Sequence, residues 1–520
     1  MKILHIYLSA SALVISCLVF FSYSVFVSNY EHNIYGTVVN AHQLKLTEES
    51  SYSSVSLNSG TDGKDDENSK SSKSMEADNP FIFSGGLKAE LVFQGLNRPT
   101  SMEFLGVDNI LVTEKNTGKV IEIKNGIVAR TLLDLNVAVL GERGLLGIAI
   151  APKSTTNQEE EVNKQTSEKE SEAETNSNED KYVFLYITEA KNHDGDDKEG
   201  NDPIGNRLYR YELIDNSLKN PKLILDLPAG LRHNGGKILT GNDGDLYITV
   251  GELDDDSTKS HRSNKALNFK DESSPDGRGG ILRINYDGDG INGGIIGKKA
   301  PLDKYFAYGI RNSFGLDLDP VTGNLWDTEN GPFYGDEINL VRPGFNSGWR
   351  IVQGMWAPAE GGFEGKWLLG RPNDLEDFNG KGKYSTPEFA WKKSVGPTAL
   401  KFLTTDKLGK EYENDMLVSD VSGRVYHFDL NKNRTGLILD VPLKNKVAES
   451  NDEFNDVVFF EGRDTLITDL DIGPDGYLYL LDHVGGKIYR ISGNVDGALL
   501  NHIDEAPKTD LLLIKEHLVS

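Results

Sequence analysis

Four loops of the sequence gather residue types that do chemistry. Arg232-His233-Asn234-Gly235-Gly236-Lys237 sets an imidazole in a glycine-rich turn. Histidine is the natural proton acceptor near neutral pH, so His233 is a candidate general base. The residue alone also reads as a surface or structural histidine. Tyr308-Gly309-Ile310-Arg311-Asn312-Ser313-Phe314-Gly315 places an arginine and an asparagine between glycines. The planar guanidinium of Arg311 suits carbonyl and carboxylate oxygens, and a surface salt bridge is the plain alternative. The third loop runs from Glu329-Asn330-Gly331-Pro332 to Asp336-Glu337-Ile338-Asn339. Carbonyls of Gly331 and Pro332, with the carboxylates of Asp336 and Glu337, are oxygen ligands of the kind that Ca²⁺ takes. A turn without metal is the alternative. Asn285-Tyr286-Asp287-Gly288-Asp289-Gly290-Ile291-Asn292 starts like a Ca²⁺-binding EF-hand loop. Ile296 stands where that loop's closing Glu belongs, so it reads as a β turn.

The elements that must position these loops are short strands. Between residues 85 and 495, apolar runs alternate with Gly, Asp and Asn turns, and long helical periodicity is nearly absent. A strand–turn–strand theme recurs six times, from Met102-Glu103-Phe104 to the closing Leu470-Asp471-Ile472-Gly473-Pro474-Asp475-Gly476-Tyr477-Leu478-Tyr479. One four-stranded unit cannot bury both of its faces, whereas units stacked radially can. The expected fold class is all-β, a six-bladed β-propeller preceded by an N-terminal transmembrane helix. Two separate β sandwiches are the alternative. The residues beyond those needed for strands fall in loops, where ligand-binding groups usually sit.

The ends and insertions differ from this pattern. Ile3 to Tyr30 holds no Asp, Glu, Lys or Arg, and its length exceeds the ~20 residues of a membrane-crossing helix. Lys2 before it orients the rest of the chain outward. Residues 1–30 are expected to anchor the protein in a membrane, with the propeller on the extracytoplasmic side. If they are a cleaved signal, the protein is secreted. Residues 31–84 read as a flexible polar stalk and 496–520 as a C-terminal tail. Residues 154–180 carry nine acidic and two basic residues. They interrupt two strand-like runs, so they read as a disordered acidic insertion in a hairpin. The whole chain has 80 acidic and 55 basic residues, a charge of −25. That sign argues against nucleic acid as a partner. Its one cysteine, Cys17, excludes an internal disulfide.

In this order and spacing, the loops resemble the soluble sugar dehydrogenases that use pyrroloquinoline quinone (PQQ), the glucose/sorbosone or aldose sugar dehydrogenase family. Gly141-Glu142-Arg143-Gly144-Leu145-Leu146-Gly147, Gly348-Trp349 and the last Gly473-Pro474-Asp475-Gly476 belong to the same pattern. The resemblance implies a six-bladed propeller that oxidises aldoses or related alcohols, with PQQ and Ca²⁺ as cofactors. It also implies a separate electron acceptor. It makes His233 the base that takes the sugar's hydroxyl proton. Arg311 and Asn312 would stand at the quinone, Glu142 near the cofactor, and the Gly331 and Pro332 carbonyls on Ca²⁺. Family enzymes hold the three PQQ carboxylates with a fifth-blade Lys and an Arg-x-Arg-Asp segment. Here Leu466-Ile467-Thr468-Asp469 occupies the latter place. Arg424 is the expected substitute, with Arg463 nearby. Two other readings stay open: a binding propeller without turnover, and a metal-dependent propeller lactonase.

Overall fold

A computed structural model describes residues 80–83, 86–153, 181–192, 203–253, 264–357, 366–367, 372, 374–450 and 452–493. The described residues fall within one compact unit, Glu76–Ser520.

The structure is all-β, and every helix among the described residues is a short 3-10 turn. Six sheets hold four or more strands, beside a ribbon of Trp356–Ala357 and Lys366–Trp367. The first strands of the six sheets are β1 (Pro99–Gly106), β2 (Leu145–Pro152), β3 (Ile238–Thr240), β4 (Ser313–Leu318), β5 (Pro397–Phe402) and β6 (Ile467–Ile472). They pack against one another in that order, with β6 returning to β1, and so surround a central channel. The ring is closed by the chain's own ends. Leu87–Gln94 pairs with Lys487–Gly493, completing the sheet that starts at β6.

Apolar runs without polar alternation arise because most strands are covered on both faces. Val183, Leu185 and Ile187 enter one apolar layer, while Phe184 and Tyr186 enter the next. Leu246, Ile248 and Val250 likewise face one neighbour and Tyr247 the other. Burial fades outward: Asn109–Glu114 is buried throughout, whereas Ile127–Asp134 at the rim is mostly exposed. Phe389 is fully buried in one such layer, with its ring edge-on to Trp391 at 4.8 Å. Phe389→Ala is expected to destabilise the fold by about 3–5 kcal/mol, to be read from denaturant midpoints.

The expected fold class needs correction. It assumed six like four-stranded blades behind a transmembrane helix. Only three of the large sheets have four strands; the others have five, five and six. The extra strands are two- and three-residue segments without their own periodicity. Phe345–Asn346 and Lys383–Tyr384 join the β3 sheet, Val447–Ala448 the β4 sheet, and Phe81–Phe83 the β5 sheet. Phe81–Phe83 had been counted as stalk. Among the described residues, no helix is long and apolar enough to cross a membrane. The expected transmembrane helix, with the membrane as partner and the membrane-anchored extracytoplasmic location, finds no support in any helix among the described residues. Residues 1–30, 154–180 and 496–520, with most of 31–84, lie outside the described residues. The strands flanking 154–180 do pair as a hairpin, Pro152 opposite Lys181.

Candidate functional site

The loops that lead into the first strands gather at one mouth of the channel. His233 precedes β3 with a left-handed φ of 56°, and it is 7% exposed. Its turn is held from three sides. Asn234 Oδ1 accepts from Gly230 N (3.0 Å) and Asn206 Nδ2 (2.9 Å), and Tyr186 Oη donates to the Asn234 carbonyl (3.0 Å). Glu142 Oε2 accepts from the His233 N–H (2.6 Å). The glycines are needed for close approach. A Cβ on Gly147 would strike the Gly236 carbonyl, and one on Gly235 the Thr249 carbonyl.

The His233 ring is bracketed by charge. Nδ1 lies 3.3 Å from Glu252 Oε1, and Nε2 lies 3.2 Å from Arg311 Nη2. This arrangement suits Nδ1–H facing the carboxylate, with the Nε2 lone pair on the guanidinium side. Glu252 Oε2 accepts from Trp349 Nε1 (2.5 Å). Burial alone would raise the Glu252 pKa, but His233, Arg311 and Trp349 hold it below the ordinary value. Glu252 thus orients the ring.

Arg311 is fixed along its whole length. Its N–H donates to Glu329 Oε1 (2.9 Å), and its Nη1 to the carbonyls of Asn330 (2.7 Å) and Gly331 (3.0 Å). The guanidinium lies 5.6 Å from the Trp349 ring centre. Beneath it Glu329, Glu337 and Asp327 are fully buried. Ser347 Oγ donates to Glu329 Oε2 (2.7 Å) and lies 3.1 Å from Glu337 Oε2. Burial pushes Asp327 and Glu337 up to about 7. Burial, then repulsion from Glu337 and Asp327, drives Glu329 well above the carboxylate range. This floor carries protons rather than three full charges.

The expected metal residues are not all brought together. The Gly331 carbonyl lies on Arg311, with Pro332 next in the chain, and Asn330 Oδ1 is buried with no hydrogen-bond partner. Asp336 is committed elsewhere: it accepts from Gly331 N, Ser394 Oγ, Val395 N and Gly396 N at 2.7–2.9 Å. Glu337 is the next residue in the same strand and faces the opposite way, toward Asn339, Ser347 and Gln353. Asn312 is buried with its Oδ1 unpartnered. Arg424 is tied down, with Nη1 on Ser422 Oγ (3.0 Å) and ion pairs to Asp420 (3.6 Å) and Glu461 (3.8 Å). Asn285–Asn292 is a turn, its Asn285 Oδ1 accepting from Asp287 N and Asp289 N.

Sequence reasoning passed over several residues. Glu252 had a readable signal. Ile238 pairs with Ile248, so extending that antiparallel register by four residues sets Glu252 opposite Asn234. Lys237 and Asp469 form an ion pair at 2.7 Å inside the mouth, and Asp469 Oδ2 also accepts from Ser101 Oγ and Met102 N. Asp469 is the residue that ends the segment lacking the two family arginines. Lys115 donates to the Gly141 carbonyl (3.0 Å), next to Glu142. Burial lowers its pKa to about 8, with Glu142 opposing the shift and Arg98 adding to it.

Fold and site together define a β-propeller with a polar, loop-built site over its central channel. The chain belongs to the glucose/sorbosone dehydrogenase family, whose model matches residues 96–490. It is similar to quinoprotein glucose dehydrogenase B of Acinetobacter calcoaceticus, with 28% identity over 51% of this chain and 52% of that protein. It is similar also to the aldose sugar dehydrogenase of Escherichia coli K12, with 26% identity over 50% of this chain and 60% of the other. The matches thus span little more than half the length of these relatives. The PQQ-bound aldose sugar dehydrogenase of Streptomyces coelicolor shares the fold. Its TM-score is 0.51 at 21% identity, over 79% of this chain and 99% of that one.

Proposed function

We propose that this protein oxidises a hydroxyl-bearing carbon of an aldose or related alcohol, with a PQQ-type quinone as hydride acceptor and Ca²⁺ beside it. The observation that carries the reading is the line Glu252–His233–Arg311: an oriented base next to an immobilised cation. Family membership and the names of the relatives support it. The substrate hydroxyl gives its proton to His233 Nε2. The carbon gives up its hydrogen with the electron pair and becomes a carbonyl. Arg311 stabilises the negative charge that develops on oxygen. A bound quinone supplies the two-electron sink, and a separate acceptor later collects those electrons.

The residues fit the oxygen-rich edge of such a quinone. Arg311 Nε is a buried donor without a hydrogen-bond partner, open to a quinone oxygen, and Asn330 Oδ1 is a buried acceptor without one, open to a cation. Asn330 Oδ1 and the carbonyls of Gly331 and Pro332 would hold Ca²⁺. Lys115, beside Glu142, is the basic residue we assign to the anionic end. Its ammonium loses its proton above about 8. PQQ affinity is therefore expected to fall as pH rises through that value, and the step should vanish in Lys115→Gln. Absorbance titrations on either side of that pH check it.

The direct test mixes purified protein with PQQ, Ca²⁺, an aldose and a dye acceptor. Dye reduction together with a PQQ spectral change supports the reading; the absence of both overturns it. One observation favours a second reading, a binding propeller without turnover. Asp469 and Arg424, at the expected carboxylate grip, are already paired within the protein. Ca²⁺-dependent sugar binding with no oxidation would select that reading.

A further inference from the structure

We propose that Asp415, His427 and Asp429 form a binding site for a first-row divalent cation such as Zn²⁺, separate from the site at the channel mouth. The strands Met416–Asp420 and Arg424–Phe428 pair with Met416 opposite Phe428 and Leu417 opposite His427. Continuing that register past Met416 sets Asp415 opposite Asp429. Strand alternation then turns Asp415, His427 and Asp429 to one face. Their ligand atoms all lie within 4.8 Å of one another.

The spacing matches a coordination shell. His427 Nε2 is 2.9 Å from Asp415 Oδ2 and 3.7 Å from Asp429 Oδ1. With metal–ligand bonds of about 2.1 Å, neighbouring ligand atoms stand ~3.0 Å apart in an octahedron and ~3.4 Å apart in a tetrahedron. The two observed separations bracket these values. A simple histidine–carboxylate pair does not explain the third member. Nε2 offers one proton or one lone pair, yet two carboxylates converge on it.

The ring is held ready for such a role. Tyr412 stands edge-on to it at 5.1 Å, and Phe459 packs at 5.6 Å. Beside the cluster is a cavity of about 180 Å³, lined by His427, Asp429, Asp440 and Asp456 among others. It has room for the waters that would complete the shell of an ion with three protein ligands. The mix of imidazole and carboxylate favours Zn²⁺ or Mn²⁺ over Ca²⁺, which takes oxygen alone. The cluster also lies far along the sheet from the mouth. Pro397, at the start of β5, pairs with Asp420, whereas Phe402 at its end pairs with Met416. Asp415 lies just beyond that end. A bound ion would clamp the two strands at the end remote from their Asp420–Arg424 turn.

Isothermal titration of the full chain with Zn²⁺, in excess Ca²⁺, tests this site. One saturable Zn²⁺ is expected, with a visible Co²⁺ spectrum typical of nitrogen and oxygen ligation on substitution. His427→Ala should weaken binding by more than about tenfold, while His233→Asn leaves it unchanged. The Asp429 side chain is 56% exposed, so Asp429→Asn keeps the fold and should weaken Zn²⁺ similarly if His427→Ala misfolds. Absence of saturable Zn²⁺ binding overturns the proposal. So does binding that survives Asp429→Asn, or that is lost in His233→Asn instead.

Discussion

His233→Asn is expected to lower kcat for sugar oxidation by about 10²–10⁴-fold, the usual worth of a positioned general base. Asparagine is the right replacement because residue 233 sits at φ 56°. That left-handed conformation suits asparagine and penalises alanine. The backbone hydrogen bond to Glu142 does not depend on the side chain, so the turn should persist. PQQ absorbance titrations should then match those of the parent, and added imidazole should restore part of the lost rate. A rate within tenfold of the parent would place the base elsewhere. Glu252→Gln is expected to do less. Glutamine still offers an oxygen to Nδ1–H but carries no charge. A rate lowered with unchanged PQQ binding would identify Glu252 as a positioning residue.

Much of the fold is legible because its forces are local in sequence. The runs Leu145 to Ile150 and Tyr182 to Ile187 name two buried strands, and Gly141 and Gly144 mark the start of the first. The His233 turn is legible for the same reason: Gly235 and Gly236 are required where the backbone approaches Thr249 and Leu146. What the sequence hides depends on long-range pairing. Val447–Ala448 adds to Phe389–Trp391 in parallel, and two residues carry no period to read. Asp336 and Glu337 are adjacent in sequence and so look like one ligand set. In the strand they face opposite ways, one capping the Gly331 loop and the other joining a buried acid cluster. Arg424 looks free in sequence, but its charge is taken up by Asp420 and Glu461.

Arg311→Lys and Arg311→Met together should separate the two things that Arg311 does. Its guanidinium bridges carbonyls on one side and His233 Nε2 on the other. A lysine ammonium is a point charge on a flexible stem and lacks that fork. Arg311→Lys is expected to lose about 10²–10³ in kcat, as when a donor aimed at a developing oxyanion is removed. Stability should change little, because a positive charge still faces Glu252. Arg311→Met removes the charge as well. Glu252 is then left buried with only His233 and Trp349, and stability should fall by about 3–5 kcal/mol, the cost of breaking a buried pair. That loss should shrink as the pH falls, because Glu252 is held below its ordinary pKa partly by Arg311. A carboxylate with a lowered folded-state pKa contributes stability above its unfolded pKa, and that contribution is lost as pH falls through the folded value. Denaturant melts of both variants at neutral and acidic pH give the comparison. If Arg311→Lys destabilises as much as Arg311→Met, the guanidinium is chiefly a structural strut. The charge it presents to substrate oxygen would then not set the rate.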